Sequence, residues 1–317
     1  MQANVSPALS VTETTLAHFS DPHLSHEPRL RLRERLSKRQ LSAWSWQGSR
    51  RELQLGGVLE ALLADLREHR PDQIVVTGDI TNFSLADEFE AAQAWLQTLG
   101  APGDVSVVPG NHDALVAIDD AQGLGRWRPW MCADPDRPAT PQWPYVRVRG
   151  EIALIGLNSA LPTLPLLASG KVGDDQLERL DQFLCELGAR GLFRIVLLHH
   201  PVADGAVSAR KALRNRAALR AVLARAGAEL VLHGHARDAR FDTIAGPAGS
   251  ILCLGLPSSS AVPNSKDAGA RWHHLSVRRV DAGAWRLQVN ARLWDAQSRG
   301  FVRGGGYAVR IERAAAQ

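Results

Sequence analysis

Five short apolar segments of this chain are each followed at once by aspartate, asparagine or histidine, and this repeated feature limits the possible folds most. In chain order, the polar groups are Asp21-Pro22-His23, Gly78-Asp79, Gly110-Asn111-His112-Asp113, His199-His200-Pro201 and Gly234-His235. Polar groups at the ends of apolar runs are typical of strands whose carboxyl ends meet at one edge of a sheet. We therefore expect side chains from distant parts of the chain to converge there.

Amphipathic segments separate these apolar runs and predict helices that pack on the sheets. The predicted strands are Leu16–Phe19, Gln73–Thr77, Asp104–Val108, Ile152–Leu157, Ile195–Leu198, Leu230–Leu232 and Ser250–Leu254. The predicted helices are Val58–Glu68, Asp87–Leu99, Gly173–Leu187 and Asn215–Ala226. The first of these helices carries its leucines on one face, the spacing expected for packing on a sheet. The alternation predicts an α/β fold.

The C-terminal part of the chain has a different pattern. Trp272–Val280 and Trp285–Trp294 read as strands, and Asp281-Ala282-Gly283 between them predicts a hairpin. We interpret the hairpin as closing a layered sheet fold. The sequence therefore predicts a single domain over residues 1–317, with a basic insertion at about 28–55 and C-terminal strands at about 270–312.

Composition excludes several classes of protein. The 317 residues include 37 Lys and Arg against 33 Asp and Glu, and this formal charge of +4 permits an anionic substrate without requiring one. Cys132, Cys185 and Cys253 form no CxxC pair, which argues against a disulfide framework and a thiolate zinc site. The first twenty residues contain no secretory signal, and no uncharged apolar run approaches membrane-spanning length. These observations predict a cytoplasmic protein.

The segment Arg29–Arg51 is strongly basic, with Glu34 as its one acidic residue and with Trp44 and Trp46 inside it. One interpretation is a lip near the site that binds an anionic head group, a membrane surface or nucleic acid, which would make the protein peripheral to the membrane. The other is a solvated surface insertion with a helix whose leucines pack inward. We favour the second, because charge runs are usually solvated faces.

Each polar group has a structural explanation when it is taken alone. Asp21 and His23 fit a loop turn, Gly78-Asp79 is a common turn dipeptide, and His235 fits an ordinary loop. The Gly110–Asp113 group is more specific, because a plain turn does not need all four residues. Together they indicate a metal site, since carboxylate, imidazole and amide oxygen are ligands that divalent metals prefer.

The order of these five motifs resembles the calcineurin-like metallophosphoesterase superfamily over about Leu16 to Arg237. The stretches Thr77–Asn82 and Val107–Asp113 are similar to its bacterial branch of 3',5'-cyclic AMP phosphodiesterases. The resemblance implies a four-layer αββα sandwich, which agrees with the predicted alternation. It also implies two divalent ions, manganese, iron or zinc, and hydrolysis of a phosphodiester through a metal-bound hydroxide.

The resemblance implies a role for each matching residue. Asp21 and His23 would hold the first metal, and Asp79 would bridge both ions. The remaining implied ligands, all of the second metal, are Asn111, His199 and His235.

Two further residues have implied catalytic roles. His112 would contact the phosphate and donate a proton to the leaving oxygen, with Asp113 orienting its imidazole. Of the pair at the fourth strand end, His199 is the expected ligand because it directly ends the strand. His200 would then face the cleft as a substrate contact, or face the core.

One position departs from the family pattern, which ends in Gly-His-x-His. Arg237 occupies the place of the last histidine, and a guanidinium stays protonated and cannot bind a cation. His233 precedes the turn and is expected to pack or to face away. Three interpretations are open: Arg237 contacts substrate phosphate beside a weakly held first metal, the site works with one firmly held ion, or the protein is a non-catalytic scaffold.

Four functions compete on the sequence alone. The leading one is hydrolysis of a cyclic-nucleotide-like phosphodiester. The second is cleavage of a pyrophosphate in a nucleotide-linked lipid at a membrane surface, which residues 29–51 would suit. A nuclease is third, because no second basic stripe supports a nucleic-acid channel. The scaffold implied by Arg237 is the alternative that is not an enzyme. The oligomeric state is open.

Overall fold

A computed structural model describes residues 13–27, 30–31, 34, 37–45, 56–135, 143–263 and 269–313. Its helices are α1 (Lys38–Ser45), α2 (Gly56–His69), α3 (Ala86–Leu99), α4 (Asp174–Ala189) and α5 (Arg216–Ala226). Its strands are β1 (Glu13–Phe19), β2 (Gln73–Val76), β3 (Val105–Val107), β4 (Tyr145–Arg149), β5 (Ile152–Gly156), β6 (Phe193–Leu197), β7 (Leu230–His233), β8 (Arg240–Gly246), β9 (Gly249–Gly255), β10 (Arg271–Asp281), β11 (Ala284–Asp295) and β12 (Gly300–Glu312). Two 3-10 helices, Asp120–Gln122 and Leu124–Trp130, follow β3.

These strands form two six-stranded sheets. The first has the order β12-β11-β10-β1-β2-β3, and β1, β2 and β3 run parallel within it. The second has the order β4-β5-β6-β7-β9-β8, and β5, β6, β7 and β9 run parallel. Each sheet therefore brings the carboxyl ends of several central strands to one edge, where residues far apart in sequence can meet.

Side chains alternate between two cores, as the pleat of a strand requires. On β5, Ile152 and Leu154 belong to a core that also contains Leu62 of α2 and residues of the first sheet. Ala153 and Ile155 instead pack in a second core with the leucines of α4 and α5. Burying one such aliphatic side chain contributes about 1.5–3 kcal/mol. The layers therefore follow the order helix, sheet, sheet, helix, and the predicted four-layer αββα fold is confirmed.

All seven predicted central strands and all four predicted helices are present, with bounds that differ by a few residues. The strands β4 and β8 were not predicted, and β12 was predicted only as part of the C-terminal strands at about 270–312. All three lie at the edge of a sheet. Edge strands are partly solvated, and β12 is exposed over most of its length. β12 therefore lacks the apolar alternation that marks a buried strand.

The predicted C-terminal hairpin is confirmed, since β10 and β11 pair antiparallel. β10 also pairs with β1, so the hairpin extends the first sheet. The division into a single domain over 1–317 stays a prediction.

Eleven of the 23 residues of the basic segment Arg29–Arg51 lie outside the described residues, among them Arg29, Arg33, Arg35, Trp46, Arg50 and Arg51. Within the described part, α1 begins at Lys38. No helix among the described residues is long and apolar enough to cross a membrane.

Candidate metal centre

The predicted polar residues converge where the two sheets meet. Asp21, Asp79 and Asn111 follow β1, β2 and β3 of the first sheet. His199 and His235 follow β6 and β7 of the second sheet. The backbone N–H of His235 donates to Asp21 Oδ2 at 3.1 Å, which joins the two sheets at this edge. The site therefore uses strand ends from both sheets, as the sequence predicted.

Two of the motif glycines, Gly110 and Gly234, lie so close to neighbouring side chains that no Cβ atom would fit. A Cβ atom at Gly110 would lie 2.2 Å from Asp79 Oδ1, and one at Gly234 would lie 1.8 Å from Ser20 Oγ. Neither distance is compatible with a side chain. The Gly-Asn and Gly-His motifs therefore exist because the backbone passes directly against the carboxylates of the site.

Several site residues have left-handed backbone conformations that non-glycine residues rarely adopt. The φ angles are 50° at Asp21, 41° at His23, 56° at Asp79, 68° at His235 and 59° at Arg237. Each such conformation costs on the order of 1–3 kcal/mol and persists only where the surroundings impose it. Strain of this kind concentrates at functional sites, which supports the assignment of this edge as the site.

The carboxylate of Asp79 lies at the centre of the cluster. Its Oδ1 accepts the backbone N–H of His112 at 2.7 Å, and its Oδ2 lies 3.3 Å from His199 Nε2 and 3.9 Å from His23 Nε2. Burial alone would raise the pKa of Asp79, but the neighbouring imidazoles of His199, His112 and His23 lower it well below its usual range. Asp79 is therefore held as an anion between two groups of imidazoles.

The second side of the site is the group of Asn111, His199 and His235 beside Asp79. Potential ligand atoms of Asp79, His199 and His235 all lie within 4.8 Å of one another. His199 Nε2 also lies 3.2 Å from Asn111 Oδ1. The ring nitrogen Nδ1 of His199 donates to the Thr77 carbonyl at 2.7 Å, which fixes the ring and leaves Nε2 towards the cluster.

The protonation of His199 reflects this arrangement. Burial lowers its pKa, but the adjacent carboxylate of Asp79 more than offsets that effect and raises the pKa to about 10. In contrast, the pKa of His235 is held well below its usual range, first by burial and then by the charges of His200 and His199. The second side therefore combines one strongly anion-paired imidazole with one neutral imidazole.

The first side of the site is the group of Asp21, His23 and His112. Potential ligand atoms of His23, Asp79 and His112 lie within 4.8 Å of one another. Asp21 Oδ1 is 3.9 Å from His23 Nε2, while its Oδ2 accepts the Ser20 hydroxyl at 2.6 Å. Burial, the largest effect, raises the pKa of Asp21 to about 6. The structure thus brings together the first-metal residues that the sequence predicted and adds His112 to them.

Asp113 does not have the position expected for a residue that orients His112. Its Oδ2 accepts the backbone N–H groups of Asp79 and Gly110, and its Oδ1 accepts that of Thr81, each at 2.8 Å. The imidazole Nδ1 of His112 instead donates to the Asn82 carbonyl at 2.9 Å. The predicted role is therefore corrected: Asp113 ties the loop that follows β2 to the loop that follows β3, and the Asn82 carbonyl orients the imidazole.

His200 is fully buried, and both of its ring nitrogens are bonded. Nε2 donates to the Ala168 carbonyl at 3.2 Å, and Nδ1 accepts the Ser159 hydroxyl at 2.8 Å. Burial lowers its pKa to about 3. The predicted substrate contact is therefore corrected to a structural role, in which the ring packs 4.6 Å from that of His235.

Arg237 is exposed beyond the strained turn that follows His235. Its predicted contact with substrate stays a prediction. His233 is fully buried, and its Nδ1 donates to the Gly234 carbonyl at 3.1 Å. Its ring lies against Gly255, where a Cβ atom would meet it at 2.3 Å. His233 therefore packs within the second sheet.

Sequence reasoning missed three supporting residues: Ser20, Asn82 and Glu88. The buried carboxylate of Glu88 accepts the backbone N–H groups of Asn82, Phe83 and Leu85 at 2.8, 2.9 and 3.0 Å. It thereby fixes the loop whose Asn82 carbonyl holds His112. A glutamate in the first turn of a predicted helix was the available signal, since that position commonly caps backbone donors.

Carboxylate, amide and imidazole donors at the joined edges of an αββα sandwich define the class of metallophosphoesterases, hydrolases that act on phosphoester bonds. The chain belongs to the calcineurin-like phosphoesterase family, whose profile matches residues 14–236.

Individual proteins support this assignment. A protein of Synechococcus sp. described as a probable cyclic nucleotide phosphodiesterase is 25% identical over 233 residues, which cover 73% of this chain and 80% of that protein. A dimetal phosphatase from Danio rerio has a TM-score of 0.58 at 14% identity, covering 95% of this chain and 99% of that one. Purple acid phosphatase PPD1 from yellow lupin has a TM-score of 0.55 at 13% identity, covering 95% of this chain and 54% of that one. At these identities the two solved structures show the fold alone.

Proposed function

We propose that this protein hydrolyses a small phosphodiester of the cyclic-nucleotide type. The observation that carries the proposal is the position of Asp79, whose carboxylate belongs to both candidate ligand groups. A shared carboxylate is what two neighbouring dications require, because two bare ions so close would repel strongly. The name of the Synechococcus relative supports a cyclic nucleotide as the substrate class.

The donor chemistry of the site fits two divalent ions. Asp21, His23 and Asp79 would hold the first ion. Asn111, His199 and His235 would complete the second with Asp79. Such donors suit manganese, iron or zinc. The hydrogen bond from His199 Nδ1 to the Thr77 carbonyl supports the fit, because metal-binding imidazoles usually donate their other N–H in this way.

Bound ions at this place would supply Lewis-acid polarisation of the phosphate and activation of the attacking water. The protein's own contribution includes a fixed proton donor. His112 has its Nδ1 committed to the Asn82 carbonyl, so its Nε2 is the atom that would give a proton to the leaving oxygen. The bond from its backbone N–H to Asp79 keeps the imidazole at a constant place beside the cluster.

The test is hydrolysis of 3',5'-cyclic AMP and of bis(p-nitrophenyl) phosphate by metal-stripped protein, before and after manganese, iron or zinc is added. We expect activity to appear only with metal and to be absent in Asp79→Asn. Metal-dependent release of product from bis(p-nitrophenyl) phosphate but not from cyclic AMP would retain the phosphodiesterase and reject the cyclic nucleotide. Absence of activity with every metal would favour the non-catalytic scaffold.

A second candidate is cleavage of a pyrophosphate in a nucleotide-linked lipid at a membrane surface. One observation favours it: Leu164 and Leu166 expose 74% and 76% of their surface in a loop that contacts α1. Sedimentation with anionic vesicles tests it. Binding that is lost when both leucines become serine, or when Arg31, Arg33 and Arg35 are neutralised, would support the lipid substrate. Full activity on cyclic AMP without vesicle binding would reject it.

A further inference from the structure

Helix α1, from the basic insertion, is bonded to the loop that follows Asp79. Ser42 Oγ donates to the Asn82 carbonyl at 3.1 Å, and Arg39 Nε donates to the Phe83 carbonyl at 3.0 Å. A second guanidinium nitrogen of Arg39 donates to the Ser84 carbonyl. The Asn82 carbonyl is also the acceptor for His112 Nδ1. One side of α1 therefore lies directly against the support of the catalytic histidine.

The opposite contact of α1 reaches the loop that follows β5 of the second sheet. Lys38 Nζ donates to Thr163 Oγ1 and to the Leu167 carbonyl, each at 2.6 Å. Thr163 Oγ1 in turn donates to the Leu167 carbonyl at 2.7 Å. The adjacent Ala168 carbonyl accepts His200 Nε2, so this loop, residues 160–168, forms the wall behind the second side of the site.

Lys38 lies close enough to the site to feel its central charge. The ammonium is partly buried, and burial lowers its pKa, while the carboxylate of Asp79 acts in the opposite direction. The hydrogen bonds of α1 therefore span from the Asn82–Ser84 loop, which supports His112, to the 160–168 loop, which supports His200. The three bonded residues Lys38, Arg39 and Ser42 thus connect the two sides of the cleft.

We propose that α1 forms a bridge across the approach to the metal centre and limits the substrate to small phosphodiesters. The hydrogen bonds of Lys38 hold the bridge to the 160–168 loop. The inference rests on the proposed phosphodiesterase function and deepens it. A cyclic nucleotide carries its nucleoside and phosphate in one compact unit. A dinucleotide or a lipid-linked phosphate extends in two directions from the phosphorus and would need the space that the bridge occupies.

Lys38→Met tests the bridge, because it keeps the length of the side chain and removes both hydrogen bonds. The probes are 3',5'-cyclic AMP and the dinucleotide ApA, each assayed with manganese. We expect the ratio of kcat/KM for ApA to kcat/KM for cyclic AMP to rise about tenfold in Lys38→Met. Thr163→Val should raise the same ratio. The double variant should raise it little further than either single variant, because both substitutions break the same contact between Lys38 and Thr163.

Two controls separate loss of the bridge from general damage. Lys38→Arg, which can still donate to both oxygens, should keep the wild-type ratio. Lys171→Met removes an exposed lysine that pairs with Asp174 and should also leave it unchanged. Hydrogen exchange of residues 160–168 should quicken in Lys38→Met but not in Lys38→Arg or Lys171→Met, which reports the loosened loop without reference to activity.

The possible failures are distinguishable. Hydrolysis of cyclic AMP with an unchanged substrate ratio in Lys38→Met would overturn the bridge and leave the proposed function intact. Absence of hydrolysis of either probe by the wild-type protein would overturn the proposed function and the size limit with it. A wild-type protein that already prefers ApA would overturn the size limit directly.

Discussion

The two sides of the metal centre differ in how completely they are built. On the second side, Asn111, His199 and His235 surround one edge of Asp79, and the His199 ring is fixed through Thr77. On the first side, one oxygen of Asp21 accepts the Ser20 hydroxyl, and Arg237, which the sequence predicts to replace a ligand histidine, is exposed. The comparison teaches that the two ions would not be held equally: the second would bind firmly and the first weakly.

Asp79→Asn gives the largest expected effect, because it removes the charge that both sides share. We expect kcat to fall at least about a thousandfold and both bound ions to be lost. Each ion loses a ligand, and the mutual repulsion of the two ions is no longer offset. Metal content by mass spectrometry, together with the hydrolysis assay, measures this. The exposed Asp104→Asn is the control. Two firmly retained ions in Asp79→Asn would show that the carboxylate does not join the sides.

His199→Ala and His23→Ala compare the sides directly. Removing His199 should weaken the firmly bound ion by about 10–100-fold or more and leave no tight site. Removing His23 should leave one ion bound with unchanged affinity, because the second side does not use it. Isothermal titration with manganese gives both affinities. Equal losses in the two variants would contradict the inequality of the sides.

Arg237→His sharpens the comparison from the opposite direction. An imidazole at this position would add a neutral ligand to the first side and remove a cation, so we expect the weaker affinity to increase about tenfold. Arg237→Gln removes the charge alone and separates the two contributions. An affinity that rises equally in both variants would attribute the weakness to charge and not to the missing ligand.

Glu88→Gln should give the smallest effect on the centre, and it acts on the first side only. Burial raises the pKa of Glu88 from 4.5 to about 7, so the folded state favours the neutral acid. The preference for the neutral acid adds about 3 kcal/mol to the free energy of unfolding of the wild-type protein. This stabilisation is complete below about pH 4.5 and is lost as the pH rises through about 7. The variant stays uncharged and should lack this dependence.

Urea unfolding of wild type and Glu88→Gln from pH 4 to pH 8 measures that difference. We expect the stability advantage of the wild-type protein to shrink across this range. The manganese affinity of the second side should stay unchanged, since Glu88 supports Asn82 and His112. A constant difference between the two proteins at every pH would exclude Glu88 as a titrating group.

Much of this arrangement follows from the sequence, because strand ends are marked by a change from apolar to polar residues. That rule located the donors Asp79, Asn111 and His199 and favoured His199 over His200 as the ligand. It misplaced His200 on the substrate side, because strand periodicity does not reveal that Ser159 and Ala168 saturate its ring. The roles of Asn82 and Glu88 depend on loop backbone atoms, which no side-chain pattern records.

The bounds of β4, β8, β12 and α1 escaped prediction for a related reason. β12 contains consecutive glycines and many exposed residues, so neither face carries a continuous apolar pattern. α1 has only eight residues, and its importance comes from the bonds of Lys38, Arg39 and Ser42 to distant loops. Such contacts are set by tertiary structure and have no local signature.

The place of β1 in the middle of the first sheet has a consequence for how the protein is made. β1 pairs on one side with β2 and on the other with β10, so Glu13 lies opposite Arg278. During synthesis from the N-terminus, that second edge stays without its partner until most of the chain has emerged. Such long-range pairing is slow and leaves an open strand edge that favours aggregation. Folding of this enzyme should therefore depend on protection of β1 until β10 has been synthesised. The second sheet does not have this requirement, because its neighbouring strands are much closer in sequence than β1 and β10 are.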